Sequence, residues 1–386
     1  MTRPDEDPFC RESIERLVAQ YGSPLFVIDA ERVRRQYRRL AGALPGVELY
    51  YALKPLPHAA VVQALAGEGA GFDLATSGEV EIVRRLWIPP ARCIHTHPIK
   101  RDSDIRSALA FGVRTFVADN PDEVRKFAGH HGRASLLIRV AFRSPDATCD
   151  LSRKFGCEPD AVAGLLQLAH DLQIDVEGLS FHVGSQTTAP GMYVEAIRVC
   201  GELLQQAAHS GTSLRTLDIG GGFPVDYLGR GVQIEEFCGP ICAALAALPP
   251  ALRIIAEPGR FIVAPAAIAV ATVIGRALRA GQWWYYLDDG LYGSYSGQLF
   301  DHAGYPVDAL VPGADRYPSV LAGPTCDSID VIAEGLGLPH LEVGDLVVGR
   351  MMGAYTWASA TEFNLFPKAT VLALDRGRLM TEDDQR

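Results

Sequence analysis

The chain has 386 residues, of which 48% are hydrophobic and 21% charged, the composition of a globular protein long enough for two domains. The net charge of −10 argues against a nucleic-acid partner, because phosphates require a basic surface. The eight cysteines form no CxxC pair, so we expect neither a zinc site nor disulfides. The N-terminus lacks the apolar segment of a signal peptide, and the longest apolar run, residues 261–275, is too short and too interrupted by proline to span a membrane, so a cytoplasmic protein is expected.

The first two thirds of the chain alternate between short β-prone runs and segments with apolar residues at helical spacing. The predicted strands are residues 47–53, 71–75, 92–97, 114–119, 134–141, 176–183, 214–219 and 252–257. Helical spacing is clearest at residues 59–66, 79–86, 160–172 and 192–208. Eight such alternations in roughly 230 residues predict a (β/α)8, TIM-like barrel.

The pattern changes after residue 260 to strands separated by Gly, Pro and Asp turns. These strands are residues 267–273, 283–287, 320–322, 346–348 and 370–374, with another predicted at residues 24–28. The pattern predicts a second, mostly β domain, resembling a β-sandwich or barrel. We therefore expect residues 29–265 to form the barrel, residues 266–386 to form the β domain, and residues 1–28 to contribute to the β domain.

Polar residues stand at the predicted carboxyl ends of the barrel strands, where barrels of this class keep their active sites. They are Lys54, Asp73, His97, Asp119, Arg139, His182, the glycines 220–222 and Glu257. The set joins a lysine, a glycine-rich turn, an imidazole and carboxylates at one mouth. A barrel with a purely structural role does not need them.

Each of these residues allows two interpretations. Lys54, one of five lysines, is either a solvated strand-end residue or an amine whose lowered pKa lets it form a Schiff base with an aldehyde. The glycine run is a tight turn or a cradle whose N–H groups bind phosphate. Glu257 either forms a surface pair with Arg260 or keeps a pyridine nitrogen protonated. His182 is a packed imidazole or one that stacks on a flat ring.

The β domain contains a second candidate group. Cys326 and Asp327 lie together on a Gly-Pro-Thr-Cys-Asp-Ser turn, downstream of Tyr292 and Asp301. Cys326 is either an inert buried thiol or a reactive one, and Asp327 is either a turn residue or a charged ligand.

Taken in order, five motifs resemble the fold-type III pyridoxal-phosphate decarboxylases, the group that contains ornithine, lysine, arginine and diaminopimelate decarboxylases. They are Tyr-Ala-Leu-Lys at 51–54, His-Val-Gly-Ser at 182–185, Gly-Gly-Gly-Phe at 220–223, Glu-Pro-Gly-Arg at 257–260 and Gly-Pro-Thr-Cys-Asp at 323–327. The resemblance spans nearly the whole chain. It implies pyridoxal 5'-phosphate as cofactor, no metal, and a homodimer with shared active sites.

The resemblance also implies a role for each matching residue. Lys54 becomes the Schiff-base lysine, His182 stacks on the ring, Glu257 pairs with the ring nitrogen, and Cys326 gives a proton to the substrate from the partner subunit. The implied cofactor-binding set is Lys54, Asp73, Arg139, His182, Ser185, Gly220, Gly221, Gly222, Glu257, Arg260 and Tyr355. The implied substrate set is Asp301, Asp327, Tyr292 and Phe363.

Substrate choice is expected to depend on the distal group of the amino acid. Asp301 and Asp327 match two acids that ornithine-type enzymes direct at the distal ammonium, and residues 147–156 resemble the same branch. The sequence departs from the family at residues 55–58 and 295–296, near the lysine and the distal acid. We expect L-ornithine as substrate and putrescine as product, in polyamine biosynthesis. Lysine, both amino acids, diaminopimelate, a racemase-like isomerisation and an inactive regulatory relative are the alternatives.

Overall fold

The computed structural model describes residues 7–143, 151–227, 229, 232–312 and 315–380. Its contacts divide the chain into two compact units. The barrel unit comprises residues 36–225 and 231–261, and the β unit comprises residues 1–35, 226–230 and 262–386. This division does not test the domain bounds expected from the sequence, and those bounds remain a prediction. Residues 147–150 of the run that resembles the ornithine branch lie outside the described residues.

Eight parallel strands of the described chain close into a barrel, in chain order. They are β2 (Val47–Ala52), β3 (Gly71–Leu74), β4 (Cys93–His95), β5 (Thr115–Ala118), β6 (Ser135–Val140), β7 (Asp175–Phe181), β8 (Thr216–Asp218) and β9 (Arg253–Ala256). Side chains from five strands fill the interior, namely Tyr50, Ile94, Val117, Leu137 and Ile255. The predicted (β/α)8 barrel is confirmed.

Helices alternate with these strands and place their apolar faces against the barrel. They are α2 (Ala30–Ala43), α3 (Ala59–Gly67), α4 (Ser77–Arg85), α5 (Asp102–Phe111), α6 (Pro121–Arg125), α7 (Val162–Asp171), α8 (Gly191–His209), α9 (Ile234–Ala246) and α10 (Arg260–Val263). Local signals start two of them: Thr76 caps α4 by accepting the Glu79 N–H, and Asn120 caps α6. Within the described residues, no helix combines the length and apolar character that crossing a bilayer requires.

The β unit contains a mixed sheet to which the described residues contribute nine strands. They are β1 (Leu25–Asp29), β10 (Ala267–Arg279), β11 (Gln282–Leu287), β12 (Val307–Ala309), β13 (Tyr317–Ala322), β14 (Val331–Leu338), β15 (Leu346–Gly349), β16 (Thr370–Asp375) and β17 (Arg378–Leu379). The unit also holds α1 (Arg11–Tyr21) and α11 (Gly297–Phe300). The second, mostly β domain expected from the sequence is therefore present.

Strand β1 lies in the middle of this sheet. It pairs antiparallel with β10 and parallel with β16. Its apolar residues enter a core that includes Leu25, Val27, Ile268, Val270, Val348, Leu372 and Leu374. The elements α1, β12, β14 and β17 were not predicted from the sequence; β14, for example, contains two glycines that weaken its strand pattern.

Candidate active site

Lys54 and Asp73 lie at the carboxyl ends of neighbouring barrel strands. Lys54 is exposed in the turn two residues after β2, and Asp73 is buried in β3. The Thr96 hydroxyl donates to Asp73 Oδ1 at 2.6 Å. Burial raises the pKa of Asp73 well above its ordinary value, and the charge of Glu257 adds to the rise while the charge of Lys54 opposes it. The mouth therefore combines one accessible amine with enclosed carboxyl groups.

The glycine run after β8 packs so closely that side chains have no room. A Cβ on Gly220 would lie 2.1 Å from the Phe181 carbonyl oxygen, and one on Gly222 would lie 2.1 Å from the Gly184 carbonyl oxygen. Gly220 and Gly222 also have φ values of 67° and 111°, a region that glycine tolerates best. In the part of the chain that the structure describes, the N–H groups of Gly221 and Gly222 donate to no protein acceptor. Two backbone donors are thus available to an anion.

His182 follows β7 directly and is buried. Its Nδ1 accepts the Gly184 N–H at 3.0 Å, which leaves the proton of the neutral ring on Nε2. Burial lowers the pKa of His182 well below its ordinary value, and the positive charges of Lys54 and Arg139 lower it further. The imidazole is therefore neutral and fixed in one tautomer, which is compatible with packing against a flat ring.

Glu257 and Arg260 are both buried, at 8% and 5% exposure, so the interpretation of these residues as a surface pair is wrong. Glu257 follows β9, and its N–H donates to the Gly220 carbonyl at 2.8 Å. Arg260 Nη2 donates to Ser185 Oγ at 2.9 Å. This places a cation and a hydroxyl together within the barrel unit, as a phosphate contact needs.

Arg139 lies near the end of β6, and its guanidinium is enclosed. Its Nη2 has no hydrogen-bond partner among the described residues. Burial lowers the pKa of Arg139, while the charges of Glu257, Asp119 and Asp218 raise it. An enclosed guanidinium nitrogen whose N–H donors lack an acceptor among the described residues suits a bound polar or anionic group in the barrel mouth.

Asp218, at the end of β8, was not among the residues singled out from the sequence. It is fully buried and its Oδ1 accepts the Gly220 N–H at 2.8 Å. Burial, together with the charge of Glu257 and a hydrogen bond to it, raises the pKa of Asp218 well above its ordinary value. The sequence feature that could have identified Asp218 as a site residue is its position just before the glycine run.

In the β unit, Tyr292, Asp327 and Phe363 come together. The Tyr292 and Phe363 rings stack with their centroids 4.4 Å apart, and the Tyr292 hydroxyl donates a short hydrogen bond to Asp327 Oδ2. This bond lowers the pKa of Asp327. Cys326 is exposed, so the interpretation of it as a buried thiol is wrong, and its N–H donates to Asn364 Oδ1 at 3.1 Å. An accessible thiol thus stands beside an ionised carboxylate.

The other two predicted residues of the β unit lie in separate segments. Asp301 follows α11, is 9% exposed, and donates its N–H to the Gly297 carbonyl. Tyr355 is half-buried and has a φ of 56°, unusual for an aromatic residue, and its carbonyl accepts the Ser359 hydroxyl at 3.0 Å.

The barrel mouth fits pyridoxal phosphate on several independent features. It provides two N–H groups without an acceptor among the described residues and the Arg260–Ser185 pair for a phosphate, a neutral imidazole for a ring, and an accessible amine for an aldehyde. Fold and site together define a pyridoxal-phosphate enzyme built on a barrel with a β domain. Residues 30–264 match the family described as pyridoxal-dependent decarboxylase, pyridoxal binding domain, and the chain belongs to this family.

Relatives narrow the class further. A solved lysine/ornithine decarboxylase from Vibrio vulnificus, complexed with cadaverine, has 52% sequence identity and a TM-score of 0.91, covering 95% of this chain and 96% of that chain. The lysine/ornithine decarboxylase of Selenomonas ruminantium is 36% identical over 97% of this chain and 96% of its own. A Paramecium bursaria Chlorella virus arginine decarboxylase, bound to agmatine, has 29% identity and a TM-score of 0.90, covering 95% and 100%.

The chain is accordingly a pyridoxal-phosphate-dependent carboxy-lyase that acts on a basic amino acid. When bound, the cofactor supplies the electron sink that accepts the electron pair left on the substrate α-carbon as carbon dioxide departs.

Proposed function

We propose that the chain converts L-ornithine to putrescine. The observation that carries this proposal is the Asp327 carboxylate, which accepts a hydrogen bond from the Tyr292 hydroxyl and lies next in sequence to the exposed Cys326. A fixed negative charge next to the proposed proton donor suits a substrate whose far end carries an ammonium group. Asp301 is the proposed second acid.

The barrel residues divide the work of binding the cofactor. Lys54 Nζ would hold the aldehyde carbon, and the free N–H groups of Gly221 and Gly222 would bind the phosphate, with Gly220 shaping the turn. The Arg260–Ser185 pair would complete the phosphate site. The remaining proposed contacts are His182 on the ring face, Glu257 at the ring nitrogen, Asp73 and Arg139 in the mouth, and Tyr355 from the β unit.

The chain's own groups then move the protons. Glu257 would hold a proton at the ring nitrogen, since its buried carboxylate needs a cationic partner. The Cys326 Sγ–H would protonate the substrate α-carbon after carbon dioxide leaves. Phe363, stacked on Tyr292, would form an apolar wall that keeps water from that carbon.

We propose ornithine rather than lysine because Asp301 and Asp327 match the two distal acids of the ornithine branch and residues 147–156 resemble the same branch. Action on both lysine and ornithine is the second candidate, and it is favoured by the two relatives that are named lysine/ornithine decarboxylases. We further propose a cytoplasmic homodimer in which Cys326 of one subunit serves the barrel of the other.

A carbon dioxide release assay tests the proposal. L-Ornithine, L-lysine, L-arginine and meso-diaminopimelate are compared at equal concentrations by kcat/KM. Ornithine with the highest value supports the proposal, and equal values for ornithine and lysine support the second candidate. A preference for arginine or diaminopimelate contradicts both.

A further inference from the structure

Asp330, in the turn that follows Cys326, is a buried carboxylate outside the proposed cofactor and substrate sites. It is 2% exposed. Its Oδ1 accepts the Leu291 N–H at 2.8 Å, and its Oδ2 accepts both the N–H and the hydroxyl of Thr325, at 3.1 Å and 2.7 Å. Both carboxylate oxygens are therefore engaged, and by two different segments of the chain.

These segments carry the residues proposed to meet the substrate. Residues 289–294, here the tyrosine loop, contain Tyr292, and residues 323–330, here the cysteine turn, contain Cys326 and Asp327. The cysteine turn is also closed on itself, because Gly323 N–H donates to the Asp330 carbonyl at 2.9 Å. One side chain thus ties the tyrosine loop to a closed cysteine turn.

Two glycines make room for this carboxylate. A Cβ on Gly290 would lie 2.4 Å from Asp330 Oδ1, and a Cβ on Gly323 would lie 2.2 Å from the same atom. Neither φ is left-handed, so close approach is the reason for glycine here. Each loop therefore places a glycine against Asp330, and a longer acid at this position would not fit.

The outer contacts between the two loops are less enclosed than this inner one. Tyr292 donates to Asp327, but both side chains are only half-buried. The Asp327 N–H reaches Thr325 Oγ1 at 3.4 Å, so the hydroxyl that Asp330 holds also supports the Asp327 backbone. Buried, fully used hydrogen bonds fix a geometry more firmly than exposed ones.

We propose that Asp330 is a positioning residue for the decarboxylation: it sets where Cys326 and Asp327 lie relative to Tyr292 without touching the substrate. This inference rests on the roles proposed above for Cys326 and Asp327. It adds a residue that determines both the proton-donor position and the distal-charge position through one network.

Asp330→Asn in the full-length holoenzyme is the test. Asparagine can still accept the Leu291 N–H, but its amide nitrogen would face the Thr325 N–H and cannot accept it, so one of the two bonds to Thr325 is lost. Thr325→Val removes only the hydroxyl and is a milder second variant. Asp288→Asn is the matched control, because Asp288 also accepts one backbone N–H, from Thr272, and one hydroxyl, from Ser23.

We expect Asp330→Asn to lower kcat about tenfold, to raise KM for the amino acid, and to speed amide hydrogen exchange in residues 323–329 about tenfold. Cofactor absorbance should be unchanged. Thr325→Val should shift the same quantities in the same direction by a smaller factor, and Asp288→Asn should leave them unchanged.

Two results overturn the inference: turnover and KM within twofold of the parent in Asp330→Asn, or exchange in the cysteine turn no faster than in Asp288→Asn. A lowered Tm alone would make Asp330 a structural residue. Parallel measurement of Cys326→Ala distinguishes a failure of the proposed catalytic role of Cys326 from a failure of the proposed positioning role of Asp330. Full turnover in Cys326→Ala refutes the proposed catalytic role, whereas the exchange rates of Asp330→Asn still decide whether the restraint exists.

Discussion

The backbone N–H of Glu257 donates a hydrogen bond to the carbonyl of Gly220, with 2.8 Å between nitrogen and oxygen. This bond joins the backbone of the residue that follows β9 to the first glycine of the run that follows β8. The proposed partner of the ring nitrogen and the proposed phosphate site are therefore parts of one rigid edge, so changes at one position are expected to be felt at the other.

Glu257→Gln should keep the cofactor bound but lower kcat by two or more orders of magnitude, roughly 3 kcal/mol of barrier. The amide keeps the shape of the side chain but cannot hold a proton at the ring nitrogen. Glu177→Gln is the matched control, because Glu177 is equally buried but belongs to β7 and contacts Thr115. An unchanged kcat in Glu257→Gln would remove this residue from the mechanism.

Lys54 should be the residue that borohydride reduction of the holoenzyme links to the cofactor, as peptide mapping will report. It is exposed at the mouth, whereas the Lys100 amine is buried and donates to three backbone carbonyls. A label on Lys100 or Lys154 instead would end the assignment.

Mixed subunits test the shared active site. Lys54→Ala and Cys326→Ala chains should each be inactive, and random exchange should restore about a quarter of the parent activity, because half of the dimers are mixed and each holds one intact site. Activity is followed by carbon dioxide release, and exchange by a tag on one chain. No recovery despite proven exchange would place each site within one chain.

Asp327→Asn should raise KM for ornithine by about tenfold or more while leaving cofactor absorbance intact, because an ammonium loses its charged partner. Asp308→Asn is a suitable control, since Asp308 lies in β12 and forms an ion pair with Arg350. A change in kcat or Tm that leaves the ranking of ornithine, lysine and norvaline unaltered would make Asp327 a turn residue.

Norvaline lacks the distal amine, so its efficient decarboxylation by the parent enzyme would refute the diamino-acid substrate itself.

His95 should make the fold sensitive to acid. It is fully buried beside Phe116, and in the described part of the chain neither ring nitrogen has a hydrogen-bond partner. Burial lowers its pKa from 6.5 to about 4. As the pH falls below 6.5, His95 takes up a proton in the unfolded chain but stays neutral in the native chain. The free energy of unfolding therefore decreases until the pH reaches about 4.

Between pH 6.5 and about pH 4, His95 should lower the free energy of unfolding by about 3 kcal/mol. Urea unfolding of His95→Leu at pH 7 and pH 4 measures it: the variant should lose less stability than the parent by about this amount. His209→Gln removes an exposed histidine and should behave like the parent. A parent and a His95→Leu variant with equal losses would contradict the prediction.

The sequence alone predicted the barrel and the polar residues that follow its strands. Alternating β-prone and helical segments leave few topologies, and in a parallel barrel every strand ends at the same mouth. Lys54, Asp73, His182 and Glu257 could therefore be assigned to one end of the barrel before any contact was known. The decarboxylase family was indicated separately, by the resemblance of five motifs that are spread over nearly the whole chain.

Contacts between residues distant in sequence were decided only by the tertiary structure. Whether Glu257 pairs with Arg260 on the surface or is buried depends on packing across β8 and β9, and the exposure of Cys326 depends on how its turn sits in the β unit. The engagement of Asp330 with Leu291, 39 residues away, has no local signature, because a buried carboxylate and a turn aspartate look alike in sequence. Local patterns fix where a chain bends and pairs, whereas hydrogen bonds and burial depend on the neighbours that folding brings.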